Sequence, residues 1–144
     1  MHSVRISALA LALAVASPVT ARTPAWKMGS CTISKATSDG AVWYLRRRGK
    51  GALLTVTKPL WSLPRGKAFD LYLYFGGGGF GHYRPATAHR VRGKPSLTFD
   101  LGEELLLAFR GFRGVLITSG GEQGLTDWLD LEGSSRAYSK LAQC

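Results

Sequence analysis

The chain predicts a mainly β domain: an antiparallel sandwich or small open barrel with two short helices, the last of them C-terminal. Three observations lead there. Short runs of alternating apolar and polar residues recur along the sequence, separated by glycine-bearing turns. The period lengthens from two to about four in only two stretches, 101–110 and 135–143. Two cysteines, Cys31 and Cys144, bracket everything between.

A leader comes first. His2 and Arg5 open it, Ile6–Ala16 is apolar apart from Ser7, Pro18 breaks the run, and Val19-Thr20-Ala21 offers small residues to a signal peptidase. This is the pattern of a secretory signal over residues 1–21. The apolar run is too short for a membrane anchor, which needs roughly 20 residues. Met28-Gly29-Ser30-Cys31 loosely imitates a lipid-attachment box, but Pro18, Arg22, Pro24, Trp26 and Lys27 separate it from the apolar run. Residues 22–144 then form one domain, with no second run able to span a bilayer. Export to the periplasm or beyond favours an internal Cys31–Cys144 bond, the alternatives being an intermolecular bond or two free thiols.

Each element has its own signal. Trp26–Ile33 alternates and contains Cys31; Ser38-Asp39-Gly40 is a turn. Val42–Arg46 and Leu53–Thr57 are strands joined by the turn Gly49-Lys50-Gly51, a hairpin pattern. Leu60–Pro64 is a connection anchored by Trp61. In Phe69–Phe75 both alternating sets are largely apolar, which places this strand centrally in a packed sheet. The next strand lies within Gly81–Val91, where Pro85 points to an edge or a bulge. Ser96–Asp100 follows. Asp100 with Glu103 resembles a capping box for a helix over Leu101–Arg110, whose Leu101, Leu105 and Phe109 recur every fourth residue. Val115–Ser119 and Leu125–Leu131 are strands separated by Gly120-Gly121. Ser134 is placed to cap a final helix over Ser135–Gln143, with Ala137, Leu141 and Cys144 on one face.

Charge is unevenly spread. The formal net charge is +10, and residues 46–94 carry eleven lysines and arginines against Asp70 alone. Arg46, Arg47, Arg48, Lys50, Arg84, Arg90, Arg92 and Lys94 are the candidate anion-binding residues, for an envelope component such as lipopolysaccharide, an acidic polysaccharide or a lipid head-group layer. Most of them sit beside Gly or Pro, as solvated hairpin tips also do. Nucleic acid is disfavoured, since no binding-module signature is present.

The motifs of catalysis are poorly matched. Gly76, Gly78 and Gly81 have dinucleotide spacing, but His82-Tyr83-Arg84-Pro85 is a poor helix start, and no Lys-Ser/Thr follows for a phosphate loop. Phe80, His82 and Tyr83 instead make that loop a candidate contact tip. His82 and His89 are separated by an odd number and point to opposite faces of one strand, so no metal site is expected. Gly133-Ser134-Ser135 is not a nucleophile elbow. Asp130 and Glu132 read as a solvated edge. Neither an enzyme nor a cofactor is expected.

The opening Trp26-Lys27-Met28-Gly29-Ser30-Cys31 and the close Leu131-Glu132-Gly133-Ser134-Ser135-Arg136-Ala137-Tyr138-Ser139-Lys140-Leu141-Ala142-Gln143-Cys144 resemble small secreted proteins of alphaproteobacterial type. In this layout the chain resembles the invasion-associated locus B family, exported β-rich domains linked with interaction at cell surfaces. The resemblance implies an exported, non-catalytic domain and transfers no functional residue. The expected function is a binding domain for an anionic surface or ligand. The alternative is an inhibitor or accessory protein that docks onto another exported protein.

Overall fold

The structure, a computed structural model, describes residues 25–76, 79, 81–119 and 125–144. The secretory leader read over residues 1–21 lies outside the described residues, as do Phe80 and Gly120-Gly121.

The alternating stretches form the strands β1 (Lys27–Gly29), β2 (Thr32–Ala36), β3 (Val42–Arg48), β4 (Gly51–Thr57), β5 (Ala68–Phe75), β6 (His82–Val91) and β7 (Lys94–Asp100). Helix α1 (Gly102–Gly111) follows, then β8 (Gly114–Ser119), β9 (Thr126–Asp130) and helix α2 (Ser134–Ala142). All the strands join one antiparallel sheet in the order β1-β2-β3-β4-β7-β6-β5-β8-β9. The sheet curls into a half-barrel, so the open-barrel expectation holds. Ladder order departs from chain order because the connection from Lys58 to Lys67 carries the chain past two strand positions; β6 and β7 then fill the gap back to β4.

Alternation decides which residues enter the core. Trp43 and Leu45 of β3, Leu54 and Val56 of β4, Leu71 and Leu73 of β5 and Leu97 of β7 are fully buried on the concave face. Each such side chain contributes roughly 1.5–3 kcal/mol of burial free energy. The helices pack on the same face. Leu101, Leu105 and Phe109, read as one helical stripe, are all buried, and Phe109 meets Trp43 and Phe75 with ring centroids 6.5 and 5.5 Å apart. The start of α1 approaches β4 closely: a Cβ on Gly51 would lie 2.8 Å from the Gly102 backbone. β5 sits between β6 and β8, an interior strand but seventh in the nine-strand order rather than central, with one face buried and Asp70 exposed on the other.

Four local expectations are corrected. Trp26–Ile33 is not one strand but the hairpin β1–β2, with Cys31 at its turn in a left-handed conformation (φ 56°). The N-cap of α1 is Leu101, which makes no side-chain cap bond; Asp100 Oδ1 accepts from Gly102 N at 3.3 Å, so no capping box forms. α2 is capped by Gly133 at φ 80°, and Ser134 is a buried first helical residue. Glycine wins this position because a left-handed cap penalises any Cβ. Finally, Pro85 lies in an interior strand. It opposes Asp70 of β5, and the β6–β7 ladder stops at Thr87, so the absent N–H is not needed on the other side.

Cys31 and Cys144 are joined, with Cα atoms 5.4 Å apart. The bond ties the first hairpin to the end of α2, whose Ala137 and Leu141 are buried as the spacing indicated. Side chains close the rest of the seam. Lys35 of β2, only 3% exposed, donates Nζ to Asp130 O at 2.7 Å and Glu132 O at 3.3 Å. Trp26 Nε1 donates to Glu132 O at 3.0 Å. Thus β9 is held against the first half of the sheet without a strand ladder.

Candidate functional site

The candidate anion-binding residues divide between two ends of the sheet. β3 and β4 turn at Gly49-Lys50, beside the Asp100 end of β7, whereas β6 and β7 turn at Arg92-Gly93, beside the Thr57 end of β4. A seven-residue strand (β4) separates these ends by roughly 20 Å.

At the first end, most of the cations are engaged locally. Arg47 Nε donates to Gly49 O at 2.7 Å and its Nη1 is buried without a partner among the described residues. Arg48 makes a 3.9 Å exposed ion pair with Asp100. Arg84 donates to Tyr83 O at 2.8 Å and Leu101 O at 3.4 Å, fixing β6 to the start of α1. Arg46 and Lys50 are exposed.

The second end is built differently. Val91 pairs with Lys94 around a two-residue turn in which Arg92 has φ 51° and Gly93 φ 77°. Both residues of a type I′ hairpin turn require positive φ, and the first is ordinarily Asn, Asp or Gly. Arg92 therefore stores strain, of order 1 kcal/mol. Arg90 Nη1 donates to Gly93 O at 3.0 Å and braces the turn. Arg92 and Lys94 are exposed and make no ion pair among the described residues. They flank a groove of about 430 Å³ on the convex side of the sheet, lined also by Gly40, Val42, Tyr44, Thr55, Thr57 and Val91. Val42 and Tyr44 are 39% and 40% exposed and give the groove an apolar wall. Hydroxyls continue the floor: Thr55 with Thr98 at 2.9 Å and Thr57 with Ser96 at 2.8 Å, while His89 bonds Thr98.

Among the described residues, the acids near this end, Asp39 and Asp127, are already taken. Lys58 Nζ meets Asp39 Oδ2 at 2.8 Å, Asp127 Oδ1 at 3.0 Å and Thr126 O at 3.2 Å. Asp127 Oδ2 also accepts from Trp43 Nε1 at 2.5 Å. Burial alone would lower the Lys58 pKa, but the two carboxylates outweigh it and raise the value. Hydrogen bonds from Lys58 and then Thr37 hold Asp39 well below the carboxylate range. Burial pushes Asp127 up despite its bonds to Trp43 and Lys58.

The candidate contact residues are divided. His82 lines a groove of about 420 Å³ with Phe75, Gly79, Glu104, Leu105, Ala108 and Phe112. Tyr83 points to the convex side, where its hydroxyl donates to Asp70 at 2.8 Å and its ring lies 5.7 Å from that of Tyr72. That hydrogen bond to a carboxylate raises the phenol pKa.

Two features escaped sequence reasoning. Asp127 is a buried carboxylate and Lys35 a buried cation. The inward set of β2, Ile33 and Lys35, held the only hint of the latter.

A curled antiparallel half-barrel with helices in its hollow and a strained cationic hairpin on its rim is the class of protein these features define. Among solved structures, the crystal structure of invasion associated protein b from Bartonella henselae has this fold: TM-score 0.59 at 14% identity, covering 82% of this chain and 90% of that one. The layout read from the two ends of the chain is thus met at the level of the fold. No protein-family model and no curated protein sequence matches the chain.

Proposed function

We propose that the chain is an exported, non-catalytic binding domain that meets an anionic partner through the hairpin end carrying Arg92 and Lys94. The observation that carries this reading is the groove itself: two cations that make no ion pair among the described residues, one on strained backbone, stand over a floor of Val42, Tyr44 and threonine hydroxyls. Cations, hydroxyls and an aromatic ring are groups that hold a ligand. The Cys31–Cys144 bond supports export, because such bonds persist in oxidising compartments. The fold neighbour's description as invasion-associated supports a role in contact with other molecules.

Retention on immobilised heparin, a generic polyanion, tests it. The wild type elutes late, and earlier as salt rises, because screening weakens exposed charge contacts beyond a Debye length of about 10 Å at 0.1 M. Arg92→Ala with Lys94→Ala elutes clearly earlier. Unchanged retention of that double variant overturns the assignment.

The groove beside His82 favours the second reading, docking onto another exported protein. Phe112 is 49% exposed there, against Phe75 at a centroid distance of 5.6 Å. In that case Phe112→Ser abolishes recovery of a partner in a pull-down and leaves heparin retention intact.

A further inference from the structure

We infer that the partner is an anionic lipid surface, with Leu60 inserting among its head groups; this rests on the cationic reading above and narrows it. The connection after β4 folds over the hairpin end. Lys58 N bonds Pro95 O at 3.2 Å and Trp61 N bonds Lys58 O at 3.0 Å. Trp61 and Leu63 are buried at 8% exposure each, and Lys58 Nζ lies 5.8 Å from the Trp61 ring centre. Anchored by its neighbours, Leu60 is 81% exposed, twice the exposure of Val42 or Tyr44. A lone exposed leucine is ordinary. This one has particular company.

The same end gathers charge from three elements. Gly66 N bonds Ala88 O at 2.8 Å and Ala88 N bonds Lys67 O at 2.9 Å, which sets Arg65 and Lys67 beside the last residues of β6. Arg65, Lys67, Arg90, Arg92 and Lys94 are all exposed. Lys58, the cation nearest Leu60 in the chain, already occupies Asp39 and Asp127. A soluble polyanion satisfies those cations but has no use for Leu60. A bilayer with anionic head groups satisfies both: phosphates meet the cations, and the apolar side chain enters the acyl boundary below them.

Co-sedimentation of the disulfide-bonded protein with vesicles tests this. Wild type partitions onto phosphatidylglycerol–phosphatidylcholine vesicles and not onto phosphatidylcholine alone. Leu60→Ser lowers partitioning roughly tenfold, the low end of the burial free energy of a leucine side chain, and leaves heparin retention unchanged. Arg92→Ala with Lys94→Ala lowers partitioning about 25-fold, near fivefold per cation, and reduces heparin retention too. Arg136→Ala with Lys140→Ala removes equal charge from α2 and changes partitioning by less than about threefold. Circular dichroism confirms that each variant is folded. Partitioning of Leu60→Ser equal to wild type, or heparin retention without vesicle binding, overturns the lipid assignment and leaves the polyanion reading standing. Loss of both vesicle and heparin binding in the wild type overturns the reading beneath it.

Discussion

Arg92 shows how one residue can set stability against function. Its left-handed backbone suits glycine, yet a guanidinium stands at the tip of the hairpin. Arg92→Gly is expected to raise stability by about 1 kcal/mol by removing that strain, read as a higher urea midpoint, while heparin retention falls. Asp127 works in the opposite sense. It joins Trp43 of β3 to Lys58 after β4, so Asp127→Ala leaves a buried indole N–H without its acceptor and is expected to cost about 2–3 kcal/mol in the same measurement. Asp39 supplies a pH dependence. Its carboxyl is held low in the folded chain, so on acidification the unfolded chain takes up that proton first, and stability falls as pH drops through about 4. The raised Asp127 acts the other way, since there the folded chain is protonated first. Denaturation at pH 5 and pH 3 is therefore expected to show a smaller acid loss for Asp39→Asn than for wild type. The exposed side of this pair limits the difference to about 1 kcal/mol.

Among the elements, those with clean periodicity were legible. The stripe Leu101, Leu105 and Phe109 gave α1 to within a residue, and the two apolar faces of Phe69–Phe75 gave an interior strand. What escaped was decided by backbone geometry or distant partners. Cys31 occupies a left-handed turn that cysteine rarely takes, so a hairpin read as one strand. Pro85 spoils a ladder only where a neighbour continues, and which neighbour stops at Thr87 depends on a strand order that local patterns do not encode. The candidate cations were legible as residues and not as a site: hairpin geometry, not composition, sends Arg46 and Lys50 to one end and Arg92 and Lys94 to the other. The contact of β4 with α1 makes its own prediction. Gly51→Ala drives a Cβ to 2.8 Å from Gly102 backbone atoms that no rotamer change can move. The expected loss is about 1–3 kcal/mol, seen as a lower melting temperature.

For the molecule as a whole, the disulfide spans 113 residues and fastens the first hairpin to the last helix. Loop-closure entropy alone assigns such a bond roughly 4–5 kcal/mol. Urea unfolding with and without reductant is expected to differ by about 3–5 kcal/mol, and Cys31→Ser with Cys144→Ser to behave as the reduced protein does. The lysine seam bears on a different property. Sheets that stack side by side into fibrils need receptive backbone on both flanks. Here one flank has its Thr126 and Asp130 carbonyls already occupied by ammonium groups, and the other offers a strand of three residues. A molecule so finished at its margins resists polymerisation even at the high local concentrations that crowding on a surface produces.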